Sequence, residues 1–240
     1  MSDPMHNYNN LEKIRDLLTD IVSLIDTNMH KIQGLRYNVS FKADGTPVTE
    51  ADKLIERTIN DYVNSKIPSA VFVGEETYDF EKFDLKSTVA VLDPIDGTEN
   101  FCSGLKEWGV SFTLWDDGRH LGSLLYMPEL GSRLMTGDKL KPIKSKIHGL
   151  STRICDELKE QVDDGQLRIM GCTVYNLYNV IRGSFARFTN PCGAFVWDLL
   201  PGIMLALEHN KHVLVNNKIY KGHFLNPEMK YTVDIYSNRQ

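Results

Sequence analysis

Apolar residues recur near the start of the chain at spacings of three and four: Leu11, Ile14, Leu18, Ile21, Ile25, Met29 and Ile32. That period lines one face of an α-helix, and Gly34 supplies a stop. A second stripe of Leu54, Ile55, Ile59, Tyr62 and Val63 predicts a helix that begins near Thr49 and ends at Pro68. The pattern then changes period. "AVFVGEE" (70–76) and "STVAVLD" (87–93) are short β-branched runs, read as buried strands with acids at their C-terminal ends. "GVSFTLWDDGRHLGSLLYMPELGSRLMTG" reads as an antiparallel meander, with turns at Asp117-Gly118 and over 128–131.

The second half alternates again. "LRIMG" predicts a strand, "TVYNLYNVIRG" a helix closed by Gly183, and "SFARFTN" another strand. "DLLPGIMLALEHN" predicts a helix, with Pro201 expected in its first turn, where proline is tolerated. "HVLVNNKIY" reads as a hairpin around Asn216-Asn217. "KLKPIKSKIH" (139–148) carries four lysines and reads as a solvated loop. Alternating helices and strands imply helix layers on a mixed or antiparallel sheet, a mixed α/β architecture whose strand order the pattern leaves open.

Composition narrows the class. At 240 residues the chain is long enough for a full hydrophobic core. A net charge of −5 argues against a general nucleic-acid binder, so no nucleic-acid partner is expected. Cysteines stand at 102, 155, 172 and 192 without a C-x-x-C pair, which suits free thiols in a reducing compartment. "MSDPMHNYNN" is not a signal peptide, and no apolar run has membrane-spanning length. The expectation is a cytoplasmic protein with no membrane association.

The chemistry concentrates in "VLDPIDGTENF" (91–101). A buried-looking run ends in two aspartates, Asp93 and Asp96, beside Gly97 and Thr98. Two close, buried like charges are unfavourable unless a cation lies between them. Pro94 should turn the chain out of the sheet, placing both aspartates on a loop at a strand end. Gly97 permits a left-handed backbone whose amides can face an anion. Mg²⁺ takes carboxylates, waters and substrate phosphate as ligands, and Asp93, Asp96 and the carbonyl of Ile95 suit it. Glu75, Glu76 and Asp198 are further acids able to converge on the same face. The rival reading is a polar turn, since Asp, Pro and Gly are all turn formers.

Four segments in order resemble the inositol monophosphatase family: "KADGTPVTEAD" (42–52), "GEE" (74–76), "DPIDGTENF" (93–101) and "WDLLPG" (197–202). The resemblance implies one catalytic unit over 1–240, with an α+β half over 1–138 and an α/β half over 139–240. It implies a layered αβαβα sandwich with mixed sheets, of the inositol monophosphatase and fructose-1,6-bisphosphatase type, and a homodimer. It implies two or three Mg²⁺ ions and lithium sensitivity. Glu75 then looks like a metal carboxylate that also orients the attacking water. Asp93 looks like a bridging ligand, the Ile95 carbonyl a backbone ligand, and Asp96 and Asp198 ligands of a second ion. Gly97 and Thr98 match a phosphate seat, with the Thr98 hydroxyl beside the nucleophilic water. Asp52 resembles the residue that holds that threonine, although Thr49 three residues earlier also makes it a capping-box acid. Asp198 likewise reads alternatively as a helix N-cap, and Lys42 and Asp44 as plain loop charges.

The implied reaction is direct hydrolysis of a small phosphorylated metabolite, an inositol or related polyol or sugar phosphate, with inversion at phosphorus and no phosphoenzyme. Alternatives within the same superfamily are 3′(2′),5′-bisphosphate nucleotidase, fructose-1,6-bisphosphatase and histidinol-phosphate phosphatase. A regulatory binding protein that keeps only the fold is the non-enzymatic alternative. Three departures bear on substrate choice. The section around 135–150 looks shortened. Gly171, Cys172 and Thr173 replace a small-residue segment that shapes the substrate pocket. Pro191 stands where inositol-preferring members carry an acid.

Overall fold

The computed structural model describes residues 11–41, 45–78, 83–141, 143–151 and 166–237; Lys42, Asp44 and Cys155 lie outside them. Helices α1 (Leu11–Gly34) and α2 (Glu50–Lys66) form where the stripes place them. In α1 the buried residues Ile14, Leu18, Ile21, Ile25 and Ile32 make one face. Thr49 caps α2 by accepting the amides of Ala51 and Asp52. Between the helices, β1 (Val39–Phe41) pairs antiparallel with β2 (Pro47–Thr49), a ribbon too short for a periodicity signal.

The first sheet holds β3 (Val71–Gly74), β4 (Thr88–Asp96), β5 (Gly109–Asp116), β6 (Arg119–Met127) and β7 (Ser132–Met135) in chain order. β3 and β4 run parallel, and the other pairs are antiparallel. The sheet is therefore mixed. Asp117 and Gly118 both take positive φ, 46° and 70°, as a tight hairpin turn requires.

A second sheet holds β8 (Ile147–Leu150), β9 (Gln166–Ile169), β10 (Arg187–Ala194), β11 (His212–Val215), β12 (Lys218–Ile219) and β13 (Tyr231–Tyr236). Their spatial order is β12-β11-β13-β10-β8-β9, with β8 parallel to both β9 and β10. Helices α4 (Thr173–Arg182) and α5 (Val196–Glu208) lie between the two sheets, and α3 (Thr98–Cys102) is a short turn of helix after β4.

β4 shows how the layers are stacked. All nine of its residues are buried. Val89 and Val91 join the core shared with α4, α5 and the second sheet, whereas Ala90 and Leu92 join the core beneath α1 and α2. This period of two puts helices on both faces of the first sheet. The described residues thus stack as helix, sheet, helix, sheet, four of the five layers that the resemblance implies.

The structure corrects several expectations. The chain does not leave the sheet at Pro94. β4 continues to Asp96 through a bulge, with Asp93 opposite Ser111 and Asp96 opposite Gly109. A bulge admits a proline because it needs no ladder N–H there. Pro201 is not in the first turn but is the sixth residue of α5, inside the helix. Asp198 is not the N-cap, which is Phe195. The end of the lysine-rich stretch, Ile147 and His148, is strand rather than loop. β13 was not expected, although "YTVDIY" alternates between buried and half-buried positions.

Candidate active site

Because β3 and β4 are parallel and Gly74, the last residue of β3, pairs with Leu92, the end of β3 lies beside the last residues of β4, which itself runs on to Asp96. Glu75 and Asp93 follow those two residues directly. By the alternation along β4, Asp93 projects to the face that carries Val89 and Val91, where α4 and α5 pack. α5 brings Asp198 to the same place. Carboxylate oxygens of Asp93, Asp96 and Asp198 all lie within 4.8 Å of one another.

Each carboxylate is held differently. Asp93 is 1% exposed; its Oδ1 accepts the Ile95 amide at 3.0 Å, and its Oδ2 is buried with no hydrogen-bond donor among the described residues. Asp96 sits at the N-terminus of α4. Its Oδ2 accepts the Val174 amide and, at 3.0 Å, the Cys172 thiol. Asp198 is half-buried in the first turn of α5 and accepts the Phe195 amide at 2.8 Å. Two of the three acids therefore stand at helix N-termini, where the aligned peptide dipoles favour negative charge.

Proton affinities report the crowding. Burial, then the charges of Glu75, Asp96 and Asp198, raise Asp93 well above the usual carboxylate range. Burial, then Asp96 and Glu75, push Asp198 up to about 8. Asp96 rises to about 6, because burial outweighs the lowering by the Cys172 thiol and the Val174 amide. The charge of Glu75 raises all three, so it lies near the cluster although it stands outside the 4.8 Å group.

This donor set fits a hard divalent cation. It is all oxygen, its charges repel one another, the Asp93 and Asp198 carboxylates lie against each other, and among the described residues no hydrogen-bond donor reaches the buried Asp93 Oδ2.

Gly97 has φ 83°, and a Cβ there would lie 3.0 Å from Cys172 Cβ. Only glycine combines this backbone with that approach. The Thr98 hydroxyl donates to the Ile95 carbonyl at 2.9 Å. Asp52 serves the capping box: its Oδ2 accepts the Thr49 amide and hydroxyl at 2.7 and 2.6 Å, while Oδ1 is buried without a partner. Burial, offset by Thr49, sets its pKa at about 7. Gly171 (φ 71°) and Thr173 flank Cys172, and Asn100 ties this segment to α3 by donating to the carbonyls of Met170 and Glu107, each at 2.7 Å. Pro191 lies half-buried in β10 next to Asn190, where the pairing of β10 with β13 is irregular.

One contributor was missed by sequence reasoning. Glu56 of α2 is 2% exposed, and its carboxylate accepts the Glu76 amide at 3.1 Å and the Thr77 hydroxyl. It thereby holds the turn that carries Glu75. Burial raises its pKa. The available signal was an acid four residues after Asp52, among the apolar positions of α2.

The model of the inositol monophosphatase family matches residues 10–146. The inositol-1-monophosphatase of Rhizobium meliloti is 26% identical over 202 residues, 74% of each chain. The chloroplastic bifunctional phosphatase IMPL2 of Arabidopsis thaliana is 31% identical over 127 residues, 52% of this chain and 36% of that protein. A histidinol-phosphatase of Chlorobaculum parvum is 34% identical over 90 residues, 38% of this chain and 34% of that protein. The match thus spans about a third of the length of the last two relatives. Among solved structures, the Thermotoga maritima IMPase superposes with a TM-score of 0.75 at 22% identity, covering 94% of this chain and 91% of that one. An IMPase/NADP phosphatase complexed with NADP and Ca²⁺ gives 0.80 at 17% identity, covering 95% and 92%. These likenesses establish the layered mixed α/β fold. No helix among the described residues is long and apolar enough to cross a membrane.

Proposed function

The chain belongs to the inositol monophosphatase family, and from that premise we propose that it hydrolyses a small phosphate monoester, of a polyol, a sugar or a comparable metabolite, in a Mg²⁺-dependent reaction. The observation that carries this reading is the convergence of Asp93, Asp96 and Asp198 within 4.8 Å. With Glu75 and the Ile95 carbonyl, they are the groups that would hold two or three ions. When bound, Mg²⁺ supplies charge neutralisation for the phosphoryl oxygens and acidifies water.

The remaining work falls to the chain itself. Glu75, at the end of β3, orients the attacking water. Thr98 assists it: because its proton goes to the Ile95 carbonyl, its oxygen keeps lone pairs for accepting a hydrogen bond. Asp52 belongs to the catalytic set through Oδ1, an acceptor that no group among the described residues uses. The amides at Gly97 and Thr98 seat the phosphate, and the Asp96 side of the pocket is framed by Gly171, Cys172 and Thr173. These residues bound the leaving group, and Pro191, which by the resemblance stands where inositol-preferring members carry an acid, brings no carboxylate to a sugar hydroxyl. The loose transition state of phosphoryl transfer puts the catalytic burden on such placement.

A substrate panel tests the reading. Inositol phosphate, histidinol phosphate, 3′-phosphoadenosine 5′-phosphate, fructose 1,6-bisphosphate and NADP are offered with and without Mg²⁺ and Li⁺. Mg²⁺-dependent, Li⁺-inhibited release of phosphate from at least one is expected. Metal-stabilised protein that cleaves none of them overturns the enzymatic reading in favour of a binding protein. We also read the chain as a cytoplasmic homodimer, which sedimentation checks.

A further inference from the structure

A buried hydroxyl joins the two elements that bring Asp93 and Asp198 together. In α5, the amide that would close the helical bond onto the Trp197 carbonyl belongs to residue 201, and residue 201 is proline. Proline has no N–H, and its ring pushes the carbonyl four residues back away from the helix axis. The Trp197 carbonyl, next to Asp198, therefore lacks the donor that a regular helix would give it. Ser111 of β5 completes it: Ser111 Oγ donates to Trp197 O at 2.6 Å.

The position of this serine relates it to the acid cluster. Ser111 is fully buried and stands directly opposite Asp93 in the β4–β5 register. Directly opposed residues of an antiparallel pair project to the same face. Ser111 and Asp93 thus share the face on which α5 lands, and the residue that Ser111 grips immediately precedes Asp198. The gap at Pro201 and the hydroxyl of Ser111 are complementary: one frees an acceptor, and the other pins that acceptor to the strand beside Asp93.

We propose that Ser111 is a positioning residue of the metal centre, fixing the start of α5 against β5 so that Asp198 meets Asp93 and Asp96 at cation-sharing distance. It touches neither ion nor substrate and acts through the Trp197 main chain. The inference rests on the metal-dependent reading above.

The test uses the fact that an alanine at 201 would restore the missing N–H. Four full-length proteins are compared: wild type, Ser111→Ala, Pro201→Ala and the double variant. The readout is Mn²⁺ binding without substrate, followed by electron paramagnetic resonance of the free ion. Loss of a group hydrogen-bonded to a metal ligand weakens binding by about 10–100-fold, and a support acting through the neighbouring main chain is expected at the lower end, about tenfold. Ser111→Ala is expected to show that loss, Pro201→Ala alone to bind as wild type does, and the double variant to recover most of the affinity. Steady-state kinetics should show the same rescue in the Mg²⁺ requirement. Near wild-type Mn²⁺ binding by a folded Ser111→Ala protein overturns the proposal. So does a double variant as weak as the single one, which would mean that the hydroxyl matters for packing alone. If wild type itself binds no Mn²⁺, it is the metal-dependent reading that fails, and the outcomes are thereby distinguished. Should Ser111→Ala fail to fold, Ser111→Thr keeps the donor and must retain affinity, whereas Ser111→Val, of the same shape without a donor, must lose it.

Discussion

The Glu56 carboxylate fills the space over Gly74: a Cβ on Gly74 would lie 2.6 Å from Glu56 Cδ. The glycine therefore lets a helix carboxylate reach the turn that presents Glu75. Gly74→Ala is expected to displace Glu56 and to lower both stability and turnover. Glu56→Ala, which leaves the Glu76 amide and the Thr77 hydroxyl without their acceptor, should destabilise the protein by about 1–3 kcal/mol. Urea denaturation measures the first effect and Mg²⁺-dependent phosphate release the second. Full activity in a folded Glu56→Ala protein would remove Glu56 from the support of Glu75.

Asp93→Asn is expected to abolish metal-dependent turnover while the fold persists. The substitution also removes one of several mutually repelling charges, so the metal-free variant should melt at or above the wild-type temperature. A variant that hydrolyses substrate at near the normal rate would show that Asp93 is not a ligand.

Thr98→Ala should reduce kcat more than Mn²⁺ affinity, because the hydroxyl is assigned to water rather than to an ion. Equal losses of both would place Thr98 in the metal site instead.

Proton linkage gives a signed prediction. Asp198 and Asp96 titrate at about 8 and about 6 in the fold, against an ordinary value of 3.8. The metal-free native state therefore binds more protons than the unfolded chain between those values, and stability falls as pH rises. Without divalent ions, the melting temperature should decline from about pH 4 to about pH 8 through these two groups. Saturating Mg²⁺ should flatten or reverse the decline, since it binds the deprotonated cluster. A metal-free melting profile that climbs across this window would contradict the crowding of the acids.

Much of this was legible in the residues. The stripes of α1 and α2 and the β-branched runs of β3 and β4 are local patterns, and they predicted their elements because packing reinforces them. Asp93 and Asp96 were legible as a pair that needs a counter-charge, since buried like charges are unfavourable alone, and their carboxylates lie with that of Asp198 within 4.8 Å of one another. What escaped was set by contacts distant in sequence. Glu56 meets Glu76 across the end of a strand, and Ser111 meets Trp197 across two layers; no periodicity records either. Pro94 breaks a regular ladder, and the bulge that lets β4 run on to Asp96 is set by its pairing with β5, which no local pattern records. Tyr231–Tyr236 forms a central strand of the second sheet, and six alternating residues with polar partners between them are a weak local signal for it.

The irregularity at the end of β4 has a bearing on how this sequence can change. Residues three apart on an unbroken strand look in opposite directions, so Asp96 would point toward α1 and α2 if the ladder ran on evenly from Asp93. One surplus residue turns it back. The spacing in Asp-Pro-Ile-Asp is consequently a matter of counting as much as of chemistry. Shortening or lengthening this tetrapeptide by a single residue should destabilise the fold more than exchanging any one of its side chains, because it would aim an intact acid into a hydrocarbon interior.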